Sequence, residues 1–157
     1  MTRKLDSTDW RIVKELMADG SLTNVALAGK VGLSAPPSLR RVRALEEAGV
    51  ITGYTALVDE RALGFDLTAF AMVGLHKQAE ADLRAFENRI LGWPIVREAY
   101  MLSGESDYIL KCVTRDLPAF QEFILKELTA VPNVASVKTT LTIRRAKLAP
   151  GVPVGPD

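Results

Sequence analysis

Arg40, Arg41 and Arg43 stand close together a few residues behind Ser34 and Ser38. Arginines crowded on a short helix can neutralise phosphate charge and offer paired N–H donors to acceptors on base edges. A second set lies far downstream. Gly104 can leave backbone N–H groups open to a small carboxylate, Asp107 can face an ammonium group, and Thr139 and Thr140 can add hydroxyls. Together these would suit an amino acid, although each also has an ordinary structural use. Asp107 with Glu105 makes a carboxylate pair in a turn, where such groups more often cap backbone or meet solvent. Other chemistry is sparse. The chain has one histidine and one cysteine, which excludes a multi-imidazole site, a multi-cysteine metal cluster and an internal disulfide. No nucleophile motif or phosphate-binding glycine loop is present, so catalysis is not expected. His76 reads as a surface or hydrogen-bonded histidine, and Cys112 as a small buried hydrophobe.

The composition is that of an ordinary folded protein. The 157 residues are 48% hydrophobic and 25% charged, with a formal net charge of +1. A chain so nearly neutral is not a general polyanion binder, and any anion-binding surface must come from local placement of charge. There is no apolar secretory core at the start and no run long enough to span a bilayer, which points to the cytoplasm and away from membranes.

The elements that would position the arginines are short. Asp6 to Asp19 has helical spacing, with Trp10, Val13 and Met17 on an apolar stripe widened by Ile12 and Leu16. Asp6 is its N-cap, Leu5 its staple and Gly20 its stop. A second helix starts after Thr23 and buries Val25, Leu27, Ala28 and Val31. Gly32-Leu33-Ser34 then makes a tight turn, in which Gly32 accepts a left-handed backbone, Leu33 plugs the core and Ser34 caps the next helix. Two helices joined this way form the core of a helix-turn-helix. The third helix runs from about Ala35 to Ala48 with Pro36 and Pro37 in its first turn. Its repeat of Leu39, Val42 and Leu45 predicts a core face, leaving the arginines on an outer surface that fits the major groove. Val50 to Val58 alternates like a strand and predicts a short wing.

Beyond a polar linker the pattern changes. Strands are expected at Thr68–Leu75, Val96–Leu102, Tyr108–Val113 and Val134–Ile143. Helices are expected at Glu80–Leu91 and after Asp116, where Phe120, Phe123, Ile124 and Leu128 form one apolar side. That order is the ferredoxin-like βαββαβ arrangement, whose antiparallel sheet has helices on one face and leaves the other for a symmetric partner. The division expected is a winged helix-turn-helix over 1–58, a linker over 59–66, a βαββαβ domain over 67–148 and a loose tail over 149–157, an α+β chain overall.

The chain resembles the Lrp/AsnC, or feast/famine, family of transcriptional regulators from end to end apart from the tail. The resemblance rests on LDSTDWRIVKELMADG, LTNVALAGKVGLS and RRVRALEEAGVITGYTALVD in the first part, and on YMLSGESDYILK and VPNVASVKTTLTI in the second. It implies a first domain that binds double-stranded operator DNA through Ser34, Ser38, Arg40, Arg41 and Arg43. It also implies a second, RAM or ACT-like domain that forms homodimers, assembling further into tetramers or octamers. An amino acid effector would lie between subunits near Gly104 and Asp107, with Thr139 and Thr140 as further contacts. No other cofactor is implied, and a nucleoid-associated location is. The adjacent Pro36 and Pro37 depart from the family's usual single or separated prolines, which leaves the operator sequence unspecified. The alternative within reach is an effector-independent architectural protein that coats DNA.

Overall fold

The computed structural model describes residues 4–154. They divide into two compact units, one of 4–57 with 147–154 and the other of 58–146.

The first unit holds α1 (Ser7–Ala18), α2 (Asn24–Val31) and α3 (Ala35–Glu47). Their ends follow the capping chemistry. The Asp6 carboxylate accepts from Asp9 N–H at 2.8 Å, and Thr23 Oγ1 accepts from Ala26 N–H at 3.2 Å. Gly32 ends α2 in the left-handed conformation with φ of 71°, a geometry that strains any residue with a Cβ. Ser34 occupies the N-cap position of α3, but its side chain makes no capping hydrogen bond. Ile12, Leu27, Val31 and Leu45 form the core, with Leu5, Leu16, Leu33 and Val42 packed around them.

Two stripes are rotated from expectation. In α1 the buried positions are Asp9 and Ile12, while Trp10 is largely exposed. In α3 Ser38 and Leu45 are buried, and Leu39 is 38% exposed. A three-residue period drifts by about 60° per step on an α-helix. Leu39 therefore ends about 120° from Leu45, whereas Ser38, seven residues back, lies about 20° from it.

The expected wing is also absent as a strand. Among the described residues Val50 to Val58 joins no ladder. Val50 and Ile51 N–H donate to Leu45 O, and a strand without a neighbour inside its unit has nothing else to pair with. The expected loose tail groups with this unit as well, residues 155–157 lying outside those described. Gly151 adopts φ of +87° against α1, and a Cβ placed there would come 2.7 Å from Met17 Cε.

The second unit comprises β1 (Leu67–Leu75), α4 (Glu80–Leu91), β2 (Val96–Met101), β3 (Tyr108–Thr114), α5 (Leu117–Phe123) and β4 (Val134–Leu141). The last turn of α5 widens over Ile124–Leu128. The strands form an antiparallel sheet in the order β2-β3-β1-β4, the ferredoxin-like topology. The stretch expected as linker belongs here. Asp59 caps a single turn at Arg61–Leu63, and Arg145 pairs with Glu60.

Alternation along β1 and β3 sends Ala69, Ala71, Val73, Tyr108, Leu110 and Cys112 into a core with Phe86, Trp93, Phe120 and Phe123. The opposite residues, Phe70, Met72 and Ile109, are only half-buried.

Two of these core groups make the unit alkali-sensitive. Burial pushes the Cys112 thiol from 9.0 up to about 12. Burial, then the hydrogen bond to Glu87, pushes Tyr108 from 10.0 up to about 12. Above the ordinary values the unfolded chain releases protons that the folded unit retains, so stability falls as pH rises from 9.0 toward about 12. Urea midpoints measured along that interval are expected to decline. Cys112→Ala is expected to flatten the first part of the decline, where the thiol acts before the phenol. A midpoint independent of pH would contradict the assignment.

Candidate nucleic-acid interface and effector turn

The three arginines of α3 separate into two roles. Arg40 and Arg43 are exposed and have no carboxylate partner among the described residues. Arg41 turns back toward α1, where Nη1 lies 2.7 Å from Asp6 Oδ2 and 2.8 Å from Asp9 Oδ1. Asp9 is 1% exposed, so the guanidinium holds a carboxylate inside the unit and ties α3 to the first turn of α1. The backbone N–H of Asp9, and next the hydrogen bond from Arg41, hold Asp6 below its usual carboxylate range. Arg41 is thus spent on structure.

The sequence carries a signal for this pairing. Asp9 sits three, four and seven residues before Ile12, Val13 and Leu16, on the apolar stripe itself. A carboxylate in that position needs a cationic partner.

Ser38 is corrected outright as a DNA contact. It has no exposed surface, and its Oγ makes no hydrogen bond with the described residues. Ser34 remains exposed at the start of α3. The outward stripe of the helix is Pro36, Leu39, Arg40 and Arg43, at steps of three and four. Asn24 Nδ2 donates to Ala35 O at 2.8 Å and fixes how α3 begins. The unit also has an apolar cleft of about 630 Å³ lined by Trp10, Met17, Tyr54, Leu57 and Val152, to which α3 contributes no residue.

The second set of predicted residues lies in the other unit and is not gathered into one place by a single chain. Asp107 is a structural corner: its Oδ2 accepts from Leu75 N–H at 2.6 Å, its own N–H donates to Val73 O, and its carbonyl accepts from Leu102 N–H. At least one carboxylate oxygen is therefore committed to backbone.

Gly104 is exposed and is not left-handed, and a Cβ there would meet open space. Thr139 and Thr140 are exposed on β4, opposite Ala71 and Phe70 respectively. Adjacent strand residues point to opposite faces, so these two hydroxyls do not share a pocket wall. With β1 intervening, β4 lies roughly 10 Å from β3, the strand that follows the turn. Glu105 reaches Lys138 at 3.8 Å in an exposed and therefore weak contact.

Among the described residues there is no cluster of metal-ligating side chains, and no helix is long and apolar enough to cross a membrane.

Comparison with known proteins agrees with both units. Residues 5–52 match the family described as winged helix-turn-helix DNA-binding, and residues 68–152 match the Lrp/AsnC ligand binding domain. The chain is 58% identical over 144 residues to the leucine-responsive regulatory protein of Rhizobium meliloti, covering 92% of each chain. It is 40% identical to the Bkd operon transcriptional regulator of Pseudomonas aeruginosa, covering 96% of this chain and 99% of that one. A transcriptional regulator of Neisseria meningitidis, solved as an L-Met complex, superposes with a TM-score of 0.90 at 33% identity, covering 96% and 97% of the two chains. With a helix-turn-helix unit and a βαββαβ unit that each match the family's own domains, the chain is a DNA-binding transcriptional regulator, and it belongs to the Lrp/AsnC family.

Proposed function

We propose that this protein is a sequence-specific regulator that reads operator DNA with the outward face of α3 and responds to a small amino acid bound between subunits of its second unit. The observation that carries the DNA part is the division among the arginines: Arg40 and Arg43 are free at the surface while Arg41 is committed to Asp6 and Asp9. A homodimer is supported by the half-buried Phe70, Met72 and Ile109 on the sheet face that the helices leave open, and further assembly of dimers rests on the family likeness. A symmetric dimer favours pseudo-palindromic sites with half-sites one helical turn or a multiple apart. A protein working on chromosomal duplex acts in the cytoplasm, at the nucleoid.

The effector reading is supported by the match of residues 68–152 to the Lrp/AsnC ligand binding domain. Gly104 is exposed, with nothing of its own chain within 4 Å of where a Cβ would stand, so its backbone is open to an approaching ligand. The L-Met complex of the Neisseria regulator favours an amino acid, and an apolar one suits the few charged groups on the flanking strands.

Titration calorimetry of the full chain against the twenty amino acids tests this reading. At least one apolar amino acid is expected to bind, and Gly104→Val to abolish that binding with the fold intact. Asp107→Ala is the poorer test, because it also removes the acceptor of Leu75 N–H. Absence of heat for every amino acid would overturn effector control. Regulation further requires that the bound ligand change DNA affinity, since only differential binding shifts an equilibrium. An architectural coat protein would instead bind unrelated duplexes with equal affinity and ignore amino acids.

A further inference from the structure

The outward stripe of α3 is two-part. Its N-terminal half is apolar, with Pro36 exposed and Leu39 38% exposed, and its C-terminal half is cationic, with Arg40 and Arg43. A leucine in the core costs nothing to explain, but here the buried positions of the helix are taken by Ser38 and Leu45. Leu39 is held outward beside two arginines that have no carboxylate partner among the described residues.

In a helix lying in the major groove, the N-terminal part faces the base edges. A branched aliphatic side chain can neither donate to nor accept from them. The one apolar feature that a base pair displays in that groove is the C5-methyl group of thymine. Arg40 and Arg43, one step and one turn further along, reach phosphate or guanine instead.

Resting on the reading that α3 enters the major groove, we infer that Leu39 is a specificity-determining residue that selects thymine over cytosine at one position of each half-site, by contact with the thymine methyl. This choice would not depend on hydrogen bonding, and salt would affect it little, in contrast to the arginine contacts.

The full chain is first used to select bound sequences from a randomised duplex library. Each thymine of the selected site is then replaced singly by deoxyuridine, which keeps every hydrogen-bonding group and removes only the methyl. Wild-type affinity is expected to fall about fourfold at one thymine per half-site, the value of one buried methyl, and not at the others. Leu39→Ala is expected to bind the thymine and uracil duplexes equally, and Leu39→Gln serves as a second variant should the first fold poorly.

Wild-type protein that selects a sequence yet tolerates uracil at every position would overturn the assignment of Leu39 while leaving the α3 reading in place. The same holds if the alanine variant keeps the full methyl dependence. A chain that enriches no sequence at all would overturn the α3 reading, and this inference with it.

Discussion

Truncating Phe86 to alanine is expected to destabilise the βαββαβ unit by about 3–5 kcal/mol, the range for removing a buried aromatic ring. Phe86 is 2% exposed on α4. Its ring packs edge-on against Trp93 with centroids 6.2 Å apart and tilts against Tyr108 at 5.0 Å, while Trp93 in turn meets Phe123 at 5.2 Å. The ring therefore joins α4 to β3 through Tyr108, and the cluster continues through Trp93 to α5. Removing the ring leaves a void among groups that other side chains also hold in place, so collapse around it is restricted. Trp93 lies within the cluster and reports the unfolding transition by fluorescence. The denaturant midpoint is expected to fall with an unchanged slope. Leu91→Ala on the same helix, at a side chain 85% exposed, is expected to change stability by less than about 0.5 kcal/mol. Equal effects from the two substitutions would contradict the packing described.

The second large effect distinguishes among the arginines of α3. Arg40→Ala and Arg43→Ala are each expected to weaken operator binding about tenfold. Each is also expected to make the salt dependence shallower, by about 0.9 for every phosphate that the arginine neutralises. Arg41→Ala is expected to behave differently. It removes a charged partner of Asp9, which is buried, and so costs about 2 kcal/mol of stability in the helical unit. The salt slope of whatever folded protein remains is expected to stay that of the wild type, because Arg41 faces α1 and not the outer stripe. Denaturation curves and salt titrations on the three variants check both halves. Unchanged slopes for Arg40→Ala and Arg43→Ala would remove α3 from the phosphate backbone. A reduced slope for Arg41→Ala would show that the guanidinium leaves Asp6 and Asp9 on binding.

Much of the architecture was legible because local rules and global packing agree. Asp6, Thr23, Gly32 and Asp116 stand where caps and a left-handed turn are needed, and each does what its chemistry predicts. The apolar runs that became β1 and β3 stand out as strands, and the order of strands and helices leaves few topologies open. The five motifs identified the family for the same reason, since together they specify the turn of the helix-turn-helix and the strand ends of the sheet.

The sites were less legible, because a contact depends on rotation about a helix axis and on partners distant in sequence. Periodicity alone placed Leu39 in the core and Ser38 on the surface, and three-dimensional packing reversed them. A step of three residues drifts around the helix, and only the position of Leu45 against Ile12, Leu27 and Val31 settles the phase. Arg41 resembles its neighbours until Asp6 and Asp9 are brought beside it. Asp107 could be assigned to a turn from sequence, but its use as an acceptor for Leu75 N–H depends on pairing between strands 32 residues apart. Thr139 and Thr140 are adjacent in the chain and directed to opposite faces by the pleat. The sequence by itself determined the main helices and sheet strands, their order and the family, since these follow from spacing and capping within short windows, whereas the expected wing strand found no partner to pair with. Only the tertiary structure decided which arginines are free, because a buried carboxylate captures whichever one the packing of α1 against α3 brings within reach.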